Sequence, residues 1–343
     1  MSAREKRGVR DACRHAPVVV LSPPRSYSSV VTAMLGQHPE LYGFPELGIF
    51  ASEKGCDSMA VPGGRGVMGD GMQRVRPGLA QAVAELGWGA QGPGELAQAR
   101  AWLAAGHALD LVDVYDALLD QIAPLRGVEK TPTTLLLAGA LDRATDAYPR
   151  ACFLHLTRHP LTALRSLEEE FLYHWRPAGL PGVAAGQAHG QATALDTLPR
   201  PGAGTAYRRG LRVYCAAIWL VAHRRALAHA GRLPEARVLR VRGEDLLTGQ
   251  PGCLARVARW LGIRGDSRAL AQMRHPERSP YAHPMAPDQP GSLDRKFLAD
   301  PVLRPPSPPP AGEEVVPDGW ELAEELVWRI RATAAELGYG RAA

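Results

Sequence analysis

Long apolar runs and paired cysteines are both missing from this sequence of 343 residues. No run of about 18 apolar residues occurs, and no apolar segment precedes Val18, so the sequence predicts neither a membrane span nor a secretion signal. The five cysteines form no C-x-x-C pair. This spacing argues against structural zinc and against a disulfide framework, and it favours a reducing compartment. We therefore expect a cytoplasmic protein without a membrane partner.

Lysine is scarce as well. Only four of the 40 basic residues are lysine, namely Lys6, Lys54, Lys130 and Lys296. The net charge of +5 is small for this length and the basic residues are interspersed with acidic ones, so nucleic acid is not the expected partner. The basic balance fits either a drift toward arginine or a pocket for an anion such as phosphate or sulfate.

Strands and helices alternate along most of the chain. Short apolar segments predict strands at 18–21, 127–130, 151–157 and 237–241. Helical spacing of apolar residues predicts helices at 28–36, within 79–120, and at 133–145, 160–171, 207–230 and 250–262. This alternation predicts an α/β fold with a mainly parallel central sheet flanked by helices. Ligands of such sheets bind in the loops beyond the carboxyl ends of the strands.

The composition predicts a single main domain with two appended segments. Residues 1–16 are charged and lack an apolar pattern, which predicts a flexible N-terminus, and residues 17–300 carry the alternating elements. Residues 301–343 combine a proline-rich linker with an amphipathic helix at 320–337 that we expect to pack on the domain. Residues 177–206 are rich in Gly, Ala and Pro without any period, which predicts a long loop or lid.

The first polar motif, SPPRSYSS at 22–29, joins the first strand to the first helix. It places Arg25 and several hydroxyl groups at a helix N-terminus, where free N–H groups and the helix dipole favour an anion. Ordinary helix capping would explain the serines equally well. The pattern G-x-x-x-x-G-K-[ST] of a P-loop is absent.

Two further motifs follow later strands. Arg158 ends the strand at 151–157 and Ser166 lies on the next helix, so the planar guanidinium could hold a phosphate through two hydrogen bonds. A surface arginine at a strand end is the alternative. Lys130 ends the strand at 127–130. In a chain so poor in lysine it suggests that a compact ammonium group is needed there, although chance would also explain it.

The three motifs together resemble those of a known family. PPRSYSSVV at 23–31, EKTP at 129–132 and FLHLTRHPLTALRS at 153–166 resemble, in order and spacing, the motifs of sulfotransferases that use 3′-phosphoadenosine 5′-phosphosulfate (PAPS). The segment 236–263 resembles the R-x-E-D-L strand and helix of the family, so the resemblance spans about 18–300. GQHPELYGFPEL at 36–47 is similar to bacterial members, including sulfotransferase domains of polyketide synthases. The implied architecture is the P-loop-like three-layer sulfotransferase fold.

The resemblance implies PAPS as the sulfuryl donor, 3′,5′-bisphosphate (PAP) as the product, and no metal. Lys130 would lie near the sulfuryl group, while Arg158 and Ser166 would bind the 3′-phosphate. The residues implied to surround the 5′-phosphosulfate are Arg25, Ser26, Tyr27, Ser28 and Ser29. Many members have glycine where Tyr27 stands. The C-terminal G-x-x-G-x-W-K loop of the animal cytosolic branch is not recognisable, and Lys296 is its substitute.

The resemblance also points to a base. In the animal cytosolic branch a K-T-H triplet carries a catalytic histidine, but Pro132 stands at that place here and cannot accept a proton. Glu46 occupies the place of the glutamate base of tyrosylprotein and bacterial members, and His174 is the reserve. A loop glutamate or a helix cap is the alternative interpretation of Glu46. In this scheme Arg25 and Lys130 stabilise the negative charge that grows on the leaving oxygen.

The acceptor is left open by the sequence. Segments 51–126 and 172–206 are expected to form its pocket, and their aromatic residues favour an apolar small molecule with a hydroxyl group, such as a secondary metabolite, either free or bound to a carrier protein. Two other functions are less well supported by the sequence. A P-loop phosphotransferase is disfavoured because no G-K-[ST] and no convincing magnesium-binding aspartate follow the first strand. A catalytically inactive nucleotide-binding protein is disfavoured by Glu46 and Lys130.

Overall fold

The computed structural model describes most of the chain. The described residues are 16–51, 77–105, 110–174, 205–250, 252–283, 294–306 and 314–340. Residues 1–15 of the predicted flexible N-terminus, residues 177–204 of the predicted lid and part of the proline-rich linker lie outside these ranges.

A five-stranded parallel sheet forms the centre of the molecule. The strands in chain order are β1 (Val18–Leu21), β2 (Leu41–Gly43), β3 (Arg126–Glu129), β4 (Cys152–Thr157) and β5 (Val238–Arg242). Their order in the sheet is β2-β3-β1-β4-β5, so β1 is the central strand. The chain passes from β1 to β2 and then to β3 on one side of β1, and continues to β4 and β5 on the other side. The carboxyl end of β1 is therefore the switch point at which ligands of open α/β sheets bind.

Helices flank the sheet. They are α1 (Ser28–Leu35), α2 (Pro77–Trp88), α3 (Pro93–Ala105), α4 (Leu111–Gln121), α5 (Thr133–Leu136), α6 (Ala140–Ala147), α7 (Pro160–His174), α8 (Thr205–Ala230), α9 (Gly243–Leu247), α10 (Cys253–Leu261), α11 (Ser267–Gln272), α12 (Arg295–Ala299) and α13 (Glu324–Glu336). Short 3₁₀ turns occur at Ile49–Ala51, Glu235–Arg237 and Pro276–Arg278.

Two apolar clusters lie on opposite faces of the sheet, as the alternation of side chains along β1 shows. Val19 and Leu21 belong to one cluster, whereas Val18 and Val20 belong to the other. Side chains of successive strand residues point to opposite faces, so β1 is covered on both sides. The predicted three-layer α/β fold with a parallel sheet is confirmed.

Two details of the fold differ from the prediction. The three-residue strand β2 was not predicted, because a segment this short carries no period of its own. The helix predicted at 133–145 is two helices, α5 and α6, since Leu137 is extended and Gly139 has a φ of +70°. Glycine adopts this left-handed conformation at little cost, and the backbone breaks the helix there.

The helix near the C-terminal end packs on the rest of the molecule. Ile330 on α13 is fully buried in one of the two apolar clusters. Glu336 accepts a hydrogen bond of 2.8 Å from Arg224 on α8, in a pair about half exposed on both sides. An exposed ion pair contributes little, so the buried apolar face of α13 provides most of its attachment.

A pair of buried histidines links the sheet to α8. Nε2 of His155 on β4 lies 2.9 Å from Nδ1 of His223, and both side chains are almost fully buried. Burial, together with the nearby positive charge of Arg240, lowers the pKa of His155 to about 3. Burial and the same charge also hold the pKa of His223 well below its usual value. Both imidazoles are therefore neutral in the folded protein at neutral pH.

We expect the stability of the protein to decrease when the pH is lowered from 7 to 5. An imidazole in the unfolded chain has a pKa of about 6.5, whereas that of folded His155 is about 3. Between these values the unfolded chain binds more protons, so His155 alone should lower the free energy of unfolding by about 2 kcal/mol over this range. Urea unfolding at both pH values measures the effect. His155→Gln should reduce the pH dependence, and His283→Gln, at an exposed position, is the matched control. An unchanged pH dependence in His155→Gln would contradict the assignment.

Candidate active site

The loop after β1 has an unusual backbone. Arg25 and Tyr27 have φ values of +65° and +64°, a left-handed conformation that is rare for residues with bulky side chains. Tyr27 is the N-cap of α1 but forms no side-chain hydrogen bond to the helix. The first N–H groups of α1 are thus not satisfied by a capping side chain. Such groups at the N-terminus of a helix bind anions well.

Serine hydroxyls of this loop are buried close to the helix start. Ser26 Oγ is fully buried and has no hydrogen-bond partner among the described residues. Ser29 Oγ accepts hydrogen bonds from Lys130 Nζ, at 3.2 Å, and from the backbone N–H of Asp294, at 3.3 Å. A buried hydroxyl without a hydrogen-bond partner costs free energy, and a ligand that accepts a hydrogen bond from it would remove this cost.

Arg25 is surrounded by polar groups from two other parts of the chain. Its Nε donates to Ser166 Oγ on α7 at 3.1 Å. The same guanidinium lies 2.7 Å from a carboxylate oxygen of Asp294 and 3.5 Å from one of Glu170. The Arg25 side chain is only 9% exposed, so these carboxylates neutralise a largely buried charge.

Arg158 is a second largely buried cation, and its surroundings are different. Its Nε donates to Thr162 Oγ1 at 3.1 Å, one terminal N–H donates to the backbone oxygen of Arg25 at 2.7 Å, and the guanidinium lies over the ring of Tyr27. Among the described residues no carboxylate is close enough to form an ion pair with it. Burial lowers the pKa of Arg158, opposed by interactions with Tyr27 and Glu244. An anion bound beside it would stabilise its charged form.

Lys130 and Glu46 form an ion pair at the carboxyl end of β3. Lys130 Nζ lies 2.6 Å from Glu46 Oε1, and the Lys130 side chain is 1% exposed against 34% for Glu46. Thr131 fixes the two segments to each other, since its hydroxyl accepts from the backbone N–H of Gly48 at 2.9 Å and donates to Glu129. Glu46 is therefore held in place by Lys130 and by the contact between Gly48 and Thr131, and its carboxylate remains accessible to solvent.

These groups meet around a cavity of about 410 Å³. Most of the residues predicted for the site line it, namely Arg25, Tyr27, Ser28, Ser29, Glu46, Arg158 and Ser166. Two others, Ser26 and Lys130, are buried and do not line it, although Lys130 contacts the lining residues Ser29 and Glu46. The three motifs thus lie together, as expected for loops at the carboxyl ends of neighbouring parallel strands.

Several lining residues were not predicted from the sequence. These are Pro24, Val30, Pro132, Glu170, Asp294 and Phe297. Glu170 belongs to the run EEE on α7, which is typical of a solvated helix face. Asp294 lies two residues before Lys296, which also lines the cavity and pairs with Glu169 at 2.6 Å. Its position close to Lys296 in the sequence is the signal that could have identified Asp294.

A hydrogen-bond network supports the strand end that carries Arg158. The hydroxyl of Tyr339 donates to Glu244 Oε2 at 2.9 Å and lies 2.9 Å from Thr157 Oγ1. The other oxygen of Glu244 accepts from the backbone N–H of His159 at 2.8 Å. All four residues are buried. Residues from the far end of the chain thus fix the backbone on both sides of Arg158.

The remaining predictions concern residues outside the described ranges, a metal site and a membrane span. The side chain of His174, the reserve base, and most of the predicted acceptor segment 172–206 are not described. In the part of the chain that the structure describes, no group of three or more His, Cys, Asp or Glu residues could hold a metal ion. Nor is any helix in that part long and apolar enough to cross a membrane.

The fold and the cavity define an α/β protein with a polar loop lining a cavity at the switch point of a parallel sheet. Residues 17–185 match the sequence model of the sulfotransferase family. This segment matches that family, as its motifs predicted. The matched segment contains β1 to β4 and every predicted site residue.

Solved structures agree with this fold. The sulfotransferase domain from the curacin biosynthetic pathway matches with a TM-score of 0.66 and 18% identity, over 95% of this chain and 99% of that domain. The sulfotransferase domain from the olefin synthase of Synechococcus PCC 7002 matches with a TM-score of 0.65 and 20% identity, over 96% and 97%. At these identities the likeness concerns the fold alone. No curated protein matches the chain significantly.

Proposed function

We propose that the protein transfers the sulfuryl group of PAPS to a hydroxyl group of a small organic acceptor. The observation that carries the proposal is Arg158, a largely buried cation on the cavity wall without an ion-pair partner among the described residues. A buried charge is normally paired, so this one calls for an anionic ligand.

The residues of the cavity provide two positions for the anionic groups of such a donor. The loop from Arg25 to Ser29, with the N-terminus of α1, would hold the 5′-phosphosulfate, and Arg158 with Ser166 would hold the 3′-phosphate. When bound, PAPS supplies the sulfuryl group and a bisphosphate leaving group. The carboxylates of Asp294 and Glu170 contact Arg25 in this structure. Arg25 would exchange part of these contacts for contacts with the phosphosulfate when the donor binds.

The proton of the acceptor and the negative charge of the leaving group are assigned to Glu46 and Lys130. Glu46 would accept the proton of the acceptor hydroxyl, because its carboxylate faces the cavity and is partly exposed. Lys130, 2.6 Å away, would stabilise the negative charge that grows on the leaving oxygen. Sulfuryl transfer resembles phosphoryl transfer, in which in-line positioning and electrostatic stabilisation supply most of the catalysis.

A biosynthetic intermediate is the acceptor class that we favour. Two solved structures that match over nearly the whole chain are described as sulfotransferase domains of the curacin biosynthetic pathway and of an olefin synthase. Both names point to assembly of small molecules. An acceptor of this kind would be free or bound to a carrier protein.

Transfer of labelled sulfate from PAPS to a phenol and to an aliphatic alcohol tests the proposed function. The expected result is formation of both sulfate ester and PAP. Calorimetry with PAP distinguishes the alternatives. Tight binding of PAP without transfer to any acceptor would favour the inactive nucleotide-binding protein, and the absence of both binding and transfer would refute the proposal.

Arg158→Ala should weaken binding of PAP by about 2–4 kcal/mol and leave binding of AMP nearly unchanged. The charge-assisted hydrogen bonds of Arg158 are lost only where a 3′-phosphate is present. Calorimetry with both nucleotides measures the difference. Arg240→Ala, at an exposed position of β5, is the matched control and should affect neither nucleotide. Equal losses for PAP and AMP in Arg158→Ala would remove Arg158 from this role.

A further inference from the structure

The backbone at Tyr27 is in a conformation that would suit glycine better. Its φ of +64° and ψ of +10° place it in the left-handed region, which is disfavoured for residues with a Cβ atom. Such conformations persist where the surrounding structure holds them, and they cluster at functional sites. Contacts of the tyrosine side chain must therefore stabilise a backbone conformation that tyrosine itself disfavours.

The ring of Tyr27 lies against the guanidinium of Arg158. The central carbon of that guanidinium is 4.3 Å from the centre of the ring. Burial raises the pKa of Tyr27 and the charge of Arg158 opposes this effect, so the phenol is neutral at neutral pH. A cation over the face of a neutral aromatic ring is attracted to it, more strongly where water is excluded. The ring thus provides a surface on which the planar guanidinium rests.

Arg158 is held at two further points. Its Nε donates to Thr162 Oγ1, and one terminal N–H donates to the backbone oxygen of Arg25. Together with the ring these contacts define both the place and the plane of the guanidinium. A guanidinium recognises phosphate through parallel N–H groups in that plane, so its orientation decides how well it binds.

Gly243 makes room for the ring. It is the first residue of α9, next to the end of β5. A Cβ atom on Gly243 would lie 2.7 Å from Cδ2 of Tyr27 and 3.2 Å from the backbone oxygen of Thr157. The first distance is shorter than any ordinary carbon contact. The absence of a side chain at 243 is therefore matched to the presence of the ring at 27.

We propose that Tyr27 is a positioning residue that orients Arg158, and that it thereby sets the preference of the protein for nucleotides with a 3′-phosphate. Gly243 is the second half of this arrangement, because it leaves the space that the ring fills. The inference rests on the proposed function, in which Arg158 binds the 3′-phosphate. It assigns to Tyr27 a role through Arg158, in addition to the proximity of its loop to the sulfate end of the donor.

Calorimetric titration of wild type, Tyr27→Phe and Tyr27→Gly with PAP and with AMP tests the proposal. Tyr27→Phe keeps the ring and should retain the ratio of PAP to AMP affinity within about twofold. Tyr27→Gly removes the ring and relieves the backbone, and should lower this ratio by roughly tenfold. Thermal unfolding of each variant, followed by circular dichroism, reports separately on the fold.

Gly243→Ala provides a second and independent variant. Its added methyl group should displace the ring of an intact Tyr27 and lower the same affinity ratio. In the Tyr27→Gly background the methyl group meets no ring, so the additional loss should be small. Such non-additivity is expected of residues that contact each other, and independent effects of the two positions would add. It keeps the test decisive if one single variant folds poorly.

Each outcome decides between the proposals. A wild-type protein that does not prefer PAP to AMP would overturn the proposed function together with this inference. A wild-type preference that Tyr27→Gly retains in full would overturn only the role of Tyr27. Equal loss of PAP and AMP affinity in Tyr27→Gly would also overturn it, since the ring would then support the loop as a whole.

Discussion

Replacement of Glu46 by glutamine should lower the turnover number by roughly 10²–10⁴ and leave the affinity for PAP nearly unchanged. Glutamine keeps the size of the side chain and can still accept a hydrogen bond from Lys130, but it cannot accept a proton at neutral pH. The carboxylate of Glu46 lies on the cavity wall, and its only role in the proposed reaction is to take the proton of the acceptor. Steady-state transfer to an aliphatic alcohol measures the loss.

The acidity of the acceptor separates a base from a residue that only positions the substrate. A phenol releases its proton more easily, so its rate should fall less in Glu46→Gln than the rate with an alcohol. Glu169→Gln is the matched control, because Glu169 also pairs with a lysine at 2.6 Å but is 60% exposed and does not line the cavity. Near-normal transfer to an alcohol by Glu46→Gln would assign the proton to another group, and His174 would be replaced next.

Replacement of Lys130 should slow the chemical step by roughly 10²–10³ while cofactor affinity changes little. Lys130→Met is preferred to Lys130→Ala, since methionine fills most of the space of a side chain that is only 1% exposed. The ammonium group is needed most when the leaving oxygen becomes negative. Single-turnover rates with prebound PAPS measure this step apart from binding.

A double variant shows whether Lys130 acts by itself or only by holding Glu46. If its sole role were to position that carboxylate, Lys130→Met combined with Glu46→Gln would be no slower than Glu46→Gln alone. An independent role on the leaving oxygen predicts a further decrease. Normal single-turnover rates in Lys130→Met would mean that this lysine is structural.

The sequence predicted the parts of the site that belong to short, continuous motifs. Arg25, Lys130 and Arg158 each follow a strand whose apolar residues are recognisable, and carboxyl ends of parallel strands lie at one edge of a sheet. The positions of the motifs along the chain therefore determined that they would meet. The family match over 17–185 contains the same three motifs.

The remaining parts depend on tertiary contacts that leave no local pattern. Asp294 reaches Arg25 across more than 260 positions of the chain, and Glu170 looks like one member of an exposed acidic run. The positive φ of Tyr27 was not predictable, because a tyrosine gives no signal for that conformation. The sequence could show only that a residue with a side chain stands where many relatives have glycine.

The hydroxyl of Tyr339 determines at which stage of synthesis the cavity gains its full support. All of the residues that line the cavity lie before position 300 and leave the ribosome first. The buried oxygens of Glu244 and Thr157 receive their phenol partner only when Tyr339 has followed. A nascent chain of 320 residues thus contains the complete binding motif but lacks the support beneath it. The proposed binding of nucleotide should therefore appear late in synthesis, after translation of α13, and not when the last cavity residue emerges.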